Sequence, residues 1–428
     1  MDMNSFELRF AFWHRCQCLL FFIGACFVFP TYSFAQPGTI DSTFGVNGVA
    51  QYYHGEAHSI SVQPDGKLVL GGAVLNGGLG LMRLHANGSI DSTFGDNGVV
   101  NFIGGDYYLH TALQPDGKIL ASTTWDDYPR AFFMLRFLHD GTPDNTFGAG
   151  GKKKVFLSTG AFEHAYGSEL AVQPDGKIVQ AGDVGATGAF RKIAVIRYSP
   201  NGTLDNAFGV AGKTTAPLGT YHAYAAGMAL QPDGKIVVGG HSQALFNASH
   251  FGVLRLNADG SPDNTFGVGG SATISFGSGG PEYEYSETYD MVLQPDGKIV
   301  VVGRSYLESN APAGTALAMA RFNSDGTLDA GFGSGGKVFR AEAPYAYRLN
   351  GVALQPDGKL LVTGYRVSSG AENFLTGRFL PDGTPDSSFG GNGLVVTALS
   401  ATNYNHGRDV TILSDGKIVS VGNASPDT

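Results

Sequence analysis

Apolar positions fall in runs of four to eight residues that alternate with polar ones or stay apolar throughout, and each run ends at Gly, Pro, Asn or Asp. No stretch sustains a 3.6-residue period, so strands are predicted and helices are not. The segment 213–260 shows the grammar. A strand follows Gly212, and a second runs from about Gly227 to Leu230 and stops at Pro232-Asp233-Gly234. Pro presets φ and Asp-Gly accepts positive φ, so this is a hairpin turn. A third strand is Lys235–Gly240, and a fourth, Phe251–Leu256, is closed by Asn257–Gly260. Four short strands in units of about 60 residues predict β-propeller blades.

The unit recurs. Gln-Pro-Asp-Gly-Lys stands at 63–67, 114–118, 173–177, 231–235, 294–298 and 355–359, with a degenerate Leu-Ser-Asp-Gly-Lys at 413–417. A second motif, of the form Asp-x-x-Phe-Gly, places Asp at 41, 91, 144, 205, 263, 329 and 386 and Phe three positions later. Seven alternating copies of two motifs mark a repeat array. The expected fold is all-β, a propeller of about seven four-stranded blades with the last blade incomplete, over residues 36–428.

Six of the fourth strands end in Arg, and the motif Asp always follows by eight residues: Arg83 and Asp91, Arg136 and Asp144, Arg197 and Asp205, Arg255 and Asp263, Arg321 and Asp329, Arg378 and Asp386. A fixed offset across varied loops predicts a repeated structural staple, because an Arg fork can grip a carboxylate and fix the loop. Catalysis has no need of six copies. Asp41 has no such Arg, and the seventh unit stops after its third strand. The missing strand and the missing partner of Asp41 are therefore one object. The alternatives are a chain that continues past Thr428 and a ring that closes imperfectly with an open sheet edge.

Residues 1–35 read as a signal peptide. Arg9 and Arg15 form a basic start, Leu19–Pro30 is almost wholly apolar, and Ser33-Phe34-Ala35 offers a small-residue cleavage site. A single anchoring helix and a lipobox-like Ile23–Cys26 are the alternatives. After cleavage no segment has spanning length. All three cysteines (Cys16, Cys18, Cys26) lie in this leader, which leaves the rest without disulfide, thiolate metal site or Cys nucleophile.

Composition narrows the class. Gly is 63 of 428 residues, 43% are hydrophobic and 15% charged, which suits a packed, turn-rich β-protein and excludes wholesale disorder. A formal charge of −9 argues against a nucleic-acid partner.

The hairpin Leu230–Gly240 together with Arg255–Gly267 resembles the delta-60 repeat family, and the resemblance covers residues 37–428. It implies a bacterial source, export or surface exposure, and a propeller. It supplies no catalytic residues.

Both repeated turns project to one face of the disc, which reads as structural. The opposite face carries the loops that differ: Val74–Gly78, Trp125–Arg130, Asp183–Arg191, His241–His250 and Arg304–Thr315. Varied loops on a rigid scaffold are the usual place for binding. Ahead of each second strand stand Tyr or His residues: Tyr53, His54 and His58; Tyr107, Tyr108 and His110; His164 and Tyr166; Tyr221, His222 and Tyr224; Tyr283, Tyr285 and Tyr289; Tyr345 and Tyr347; Tyr404 and His406. Ringed round a channel mouth, with Trp125, they would suit sugars or extended peptides. Packing between blades is the structural alternative.

No metal is assigned. His54 and His58 lie in a loop, and the acidic run Glu282, Glu284, Glu287, Asp290 reads first as a solvated loop and second as oxygen ligands for Ca²⁺. No cofactor, nucleophile elbow or phosphate loop is present, and Gly240–Ala244 is only a distant echo of the elbow. Lys152-Lys153-Lys154 reads as a solvated strand edge. The expected function is an exported, non-enzymatic binding or scaffold module for a glycan or protein outside the cytoplasm. The alternatives are a glycan-active hydrolase or lyase at the channel mouth, and a spacer within a larger surface protein.

Overall fold

Each Asp-Gly hairpin turn places its Gly in the left-handed region, at φ 81–85° in all seven copies, and each turn Asp accepts the backbone N–H of the Lys two residues on (Asp65 from Lys67 at 3.2 Å). The hairpins these turns close are the unit of a computed structural model that describes residues 37–52, 55–74, 78–102, 108–126, 129–157, 163–186, 188–243, 248–277, 284–307, 314–399 and 404–424. Residues 1–36 (which include the expected signal segment), Tyr53, His54, Tyr107, Tyr283, Glu282, the side chain of His164 and the tips of the five varied loops lie outside the described residues. Among the described residues there is no helix, hence none long and apolar enough to cross a membrane.

Blade 1 is β1 (Gly55–Val62), β2 (Leu68–Val74), β3 (Gly78–Leu84) and β4 (Val99–Phe102). Blade 2 is β5 (His110–Leu113), β6 (Ile119–Trp125), β7 (Ala131–Phe137) and β8 (Lys152–Val155). Blade 3 is β9 (Glu163–Val172), β10 (Ile178–Ala186), β11 (Lys192–Tyr198) and β12 (Lys213–Ala216). Blade 4 is β13 (His222–Leu230), β14 (Ile236–Gln243), β15 (Ser249–Leu256) and β16 (Ser271–Ile274). Blade 5 is β17 (Glu284–Leu293), β18 (Ile299–Leu307), β19 (Ala316–Phe322) and β20 (Lys337–Arg340). Blade 6 is β21 (Ala346–Leu354), β22 (Leu360–Ser368), β23 (Ala371–Phe379) and β24 (Leu394–Thr397). Blade 7 is the pair β25 (Asn405–Ile412) and β26 (Ile418–Ala424). The protein is thus an all-β propeller whose last blade is incomplete among the described residues.

Within blades the strands pair antiparallel in chain order. The phase differs from the sequence reading. The short strand after each Asp-x-x-Phe-Gly motif joins the preceding sheet: β12 pairs with β11, not with β13. The reason is local. The loop between β11 and β12 is so tight that Asp205 N–H donates to Arg197 C=O at 2.9 Å, which folds the chain straight back onto β11. The longer connection to β13 then crosses to the next blade. Strand β13 also begins earlier than expected, at His222 rather than near Gly227.

The first strand of every blade is innermost. These strands neighbour one another in the order β1, β5, β9, β13, β17, β21, β25, and β25 meets β1 again, closing a ring. The apolar cores sit between blades, as in the cluster of Val300, Val302 and Met319 with Leu349, Val362 and Phe379. Burial of such alternating faces, at about 25 cal/mol per Å² of apolar surface, supplies the main driving force.

The staple pairs meet in all six blades, with Arg Nε to Asp Oδ2 distances of 2.7–2.8 Å. Each guanidinium also lies 4.5–4.8 Å over the ring of the motif Phe in its own blade. In blades 1 to 5 it reaches on to a backbone carbonyl of the next blade: Arg83 to His139, Arg136 to Pro200, Arg197 to Ala258, Arg255 to Ser324, Arg321 to Pro381. The Lys of the hairpin turn adds a second cation to each Asp (Lys235 to Asp263, 3.1 Å). Burial works against the charge of Asp91, but hydrogen bonds from Thr93, Lys67 and Arg83 outweigh it and hold the carboxyl below the usual carboxylate range.

The ring is joined by the N-terminal segment. Asp41 pairs with Lys417 at 2.8 Å, the blade 7 copy of the Lys–Asp contact. The motif Gly of each blade donates to a carbonyl of the next, from Gly45 to Asn87 (2.8 Å) round to Gly390 to Pro37 (3.3 Å), seven links in all. Phe44 and Tyr52 pack with Val419 and Val421 against Ile60, Leu68 and Leu84 of blade 1.

Replacing one clamp arginine should therefore loosen two blades at once. Arg321→Leu strands the Asp329 carboxylate and is expected to cost about 3 kcal/mol, read as a lower Tm in thermal unfolding. An unchanged Tm would refute the clamp.

Candidate functional site

Six of the seven inner strands carry a β-bulge at one level, for example between Ala225 and Gly227 in β13 and between Thr288 and Asp290 in β17. A bulge adds one residue and re-aims the side chains before it. Opposite each bulge the second strand has Gly, because a Cβ there would lie 1.8–2.0 Å from an inner-strand carbonyl oxygen: Gly72 at Glu56, Gly182 at Tyr166, Gly240 at Tyr224, Gly303 at Glu287, Gly364 at Arg348, Gly422 at His406. The residues owning those carbonyls occupy one equivalent position in six blades. They are Glu56, Tyr166, Tyr224, Glu287, Arg348 and His406, all polar or aromatic and differing from blade to blade.

Around the mouth these side chains make a chain of stacked and charged contacts. Arg191 lies 5.0 Å from the Tyr166 ring centre and 5.1 Å from that of Tyr224, and pairs with Asp183 at 3.3 Å. Tyr224 stacks on His241, with centroids 4.8 Å apart and 16° between planes. Glu287 accepts from Tyr285 OH at 2.7 Å, from Tyr289 OH, and from Arg304 at 2.8 and 2.7 Å. Arg348 lies 3.8 Å over Tyr289 and Arg366 lies 4.3 Å over Tyr345. Tyr365 stacks on His406, which bonds Glu372. Arg408 approaches Glu56, and His58 contacts both Glu56 and Tyr108.

Between blades 4 and 5 this belt opens into a pocket of about 240 Å³ lined by Tyr224, His241, Gln243, Ser249, Tyr285 and Glu287. Its base is set by the one parallel pairing between these two blades, Ser249 with Tyr285. Ser249 is 1% exposed, and its hydroxyl has no hydrogen-bond partner. The Nδ1 of His241 has none either. Burial pushes the His241 imidazole down to about 4, against the pull of the Glu287 carboxylate, so at neutral pH it is uncharged and presents a lone pair. Burial disfavours the Glu287 charge, but its tyrosine hydroxyls and Arg304 outweigh this and hold it below the usual range. The pocket therefore offers flat ring faces, a hydroxyl, an amide and a neutral acceptor.

The predicted residues divide. Tyr166, Tyr224, Tyr285, Tyr289, Tyr345 and His406 stand in the belt. Tyr108 and Tyr404 are exposed near it, and His222 takes the Arg191 backbone N–H. Tyr347 does not belong: it is 1% exposed in the core between blades 5 and 6, with its OH on Glu342. His58 is likewise buried. Trp125 is no exposed platform, for it packs edge-on to Phe133 with the Lys154 ammonium 2.9 Å over its ring. The acidic run is split. Glu284 accepts the backbone N–H groups of Phe276 and Gly277, Glu287 joins the belt, and Asp290 lies deeper. Among the described residues no three His, Cys, Asp or Glu side chains group as metal ligands. The sequence reading did not single out Arg191, Arg304, Arg348, Arg366, Arg408, His241 or Ser249, though Arg191, Arg304, His241 and Ser249 fall within the varied loops it named. Outside residues 1–35 and the six clamps only seven arginines remain, and six of them (these five and Arg130) stand near the mouth, a distribution that could have flagged them.

Just below the belt, Asp290 accepts from Met291 N–H and from Val352 N–H of the next blade, both at 2.7 Å. Asp409 does the same with Val410 (2.7 Å) and Ile60 (2.9 Å). Where blades 4 and 6 carry Gly227 and Gly351, a Cβ would press on the bulge of the following blade. Burial away from water, with repulsion from the Glu169 carboxylate, pushes both carboxyls up, Asp409 to about 6. The folded state thus keeps protons that an unfolded chain releases near 4. Stability from these groups is full below about pH 4 and is lost as pH rises through their folded-state values, about 6 for Asp409. An infrared titration should find protonated carboxyl intensity at pH 5 that falls in an Asp290→Asn, Asp409→Asn double variant to what Asp183, pushed up by burial to about 7, contributes. Its absence in the parent protein would contradict this.

Six segments match a family model described as Domain of unknown function (DUF5122) beta-propeller, at residues 63–94, 114–147, 173–208, 231–266, 294–332 and 355–389. No curated protein sequence matches the chain. Among solved structures it is similar to a puromycin hydrolase (15% identity over 91% of this chain and 52% of that one, TM-score 0.49). It is also similar to the polysaccharide lyase Uly1 (11%, 93% and 92%, 0.49) and to Drosophila Semaphorin 1b extracellular domains 1-2 (10%, 91% and 87%, 0.48). The chain spans about half the length of the hydrolase, and these are likenesses of chain path.

Proposed function

The chain belongs to a β-propeller repeat family, and we propose that it is an exported, non-enzymatic binding module whose mouth holds a polyhydroxylated ligand, a glycan, in the pocket between blades 4 and 5. The observation that carries this is the Ser249 hydroxyl, buried and unpartnered, beside the free Nδ1 of His241 and the stacked Tyr224. Sugar hydroxyls both donate and accept, and their C–H faces lie on aromatic rings, so this lining suits them. Leaving a buried polar atom unpaired costs about 1–3 kcal/mol, which a ligand hydroxyl would recover. Export rests on the basic start, apolar run and small-residue site of residues 1–35. The two motifs support reading the repeats as the delta-60 type.

Glu287 argues against acid catalysis there, since three donor side chains saturate it and keep it ionised. The rival reading, a glycan hydrolase or lyase, has one observation in its favour: the neutral His241 nitrogen beside the Tyr285 hydroxyl in the same pocket.

Titration against a panel of soluble bacterial and plant polysaccharides tests the reading. At least one should bind without release of shorter products. Tyr224→Ala and Ser249→Ala should each weaken that binding about tenfold, a loss of about 1.4 kcal/mol, with Tm kept. Binding unaffected by either change would sink the pocket assignment, and product formation would favour the enzyme.

A further inference from the structure

A bulge leaves its extra residue out of the strand ladder, and in blades 5, 6 and 7 that residue is Tyr289, Asn350 and Arg408. Arg348 holds the varied mouth position of β21, two residues before Asn350. Asn350 binds both sides. Its Oδ1 accepts from Arg348 Nε at 2.8 Å, and its Nδ2 donates to the C=O of Gly407, the residue before Arg408, at 2.7 Å. Arg408 Nε donates in turn to Asn423 Oδ1 at 3.2 Å. Two half-buried guanidiniums on adjacent inner strands are thus aimed by neutral amides, each held through Nε.

The carboxylates around them are engaged elsewhere. Glu287 is taken by Arg304 and two tyrosines, and Glu372 by His406. Glu56 lies 3.4 Å from His58 and reaches Arg408 only at 4.0 Å. Asp290 and Asp409 spend both oxygens on backbone N–H groups. At the mouth end of β22 a third guanidinium, Arg366, has its buried Nε without a hydrogen-bond partner. Charge withdrawn from water without an opposite partner is costly, so this sector of the mouth favours an anion. The formal charge of the whole chain is −9, which makes the cationic sector a local feature and not a general attraction. It also adjoins the pocket between blades 4 and 5. Arg348 lies 3.8 Å over the Tyr289 ring, and the Tyr289 hydroxyl donates to Glu287 in the pocket lining.

We propose that Arg348 and Arg408 form a second subsite of the mouth, one that takes the acidic group of a sugar, so that the ligand is an acidic glycan. The inference rests on the glycan reading above and names the class of glycan. The terminal N–H groups of the two arginines bind the anion while the asparagines keep both forks in place. A planar fork of this kind matches a uronic-acid carboxylate or a sulfate ester, and a lysine would not reproduce it. The pocket between blades 4 and 5 then holds a neighbouring sugar of the same chain through its hydroxyls.

The probes are alginate and polygalacturonate, each beside its carboxyl-reduced neutral form, and κ-carrageenan beside its desulfated form, titrated into the protein by calorimetry. At least one acidic polymer should bind about tenfold or more tightly than its neutralised form, and the pair that shows the difference distinguishes carboxylate from sulfate. That preference should shrink as ionic strength rises from about 0.01 to about 0.1 M, where the screening length falls from about 30 to about 10 Å. Arg348→Gln and Arg408→Gln should each remove most of the preference and leave the neutralised polymer bound as before. Neutralised forms that bind as tightly as the acidic ones would overturn this inference and leave the glycan reading standing. No binding by any polymer, acidic or neutral, would overturn both. An acid preference that both folded variants retain would overturn the assignment to this sector. The comparison of the two polymer forms uses the parent protein, so it decides the matter even where a variant fails to fold.

Discussion

One guanidinium per blade does three jobs, and the ring rests on that economy. It neutralises an Asp whose burial would otherwise be costly, it covers a Phe buried beside it, and in blades 1 to 5 it bonds a carbonyl of the following blade. Charge-assisted hydrogen bonds are worth about twice neutral ones, and here they sit at the boundary where two sheets must stay in register. Apolar packing between blades is strong but non-directional. The clamp adds the direction. A chain with no cysteine after residue 26 has no covalent substitute for it there.

Ring closure follows from the same parts. The first motif has no arginine of its own, yet its Asp41 takes Lys417 and its Gly45 continues the link to blade 1. The two ends of the described chain are therefore held by a polar contact and by the apolar group around Phe44, Tyr52 and Val421. Among the described residues the seventh blade is joined to its neighbours through two strands, β25 and β26.

The two faces of the ring divide the work. On one, hairpin turns and clamp loops repeat almost without change, since each must satisfy the same left-handed Gly and the same ion pairs. On the other, the inner strands bulge, and the position ahead of the bulge changes from Glu to Tyr to Arg to His round the circle. The bulge frees that position from the alternation that holds the cores. Side chains there can vary without disturbing a blade, which is the physical condition for a recognition surface on a rigid frame.

Strand content, the count of seven units and the pairing of each arginine with the carboxylate eight residues on were legible in the sequence, because turn chemistry and fixed spacing are local and repeat. Tyr166, Tyr224, Tyr285 and Tyr289 stand on the inner strands in the belt, whereas Tyr347, one residue out of step with the position of Tyr166 and Tyr224, lies in the core. What the chain alone could not disclose was the phase of the blades, the bulges, and the meeting of Ser249, His241 and Tyr224 in one pocket. Those depend on which strand edge a segment reaches and on how adjacent sheets face each other. Such contacts join residues far apart in the chain, and a two-residue alternation carries no trace of them.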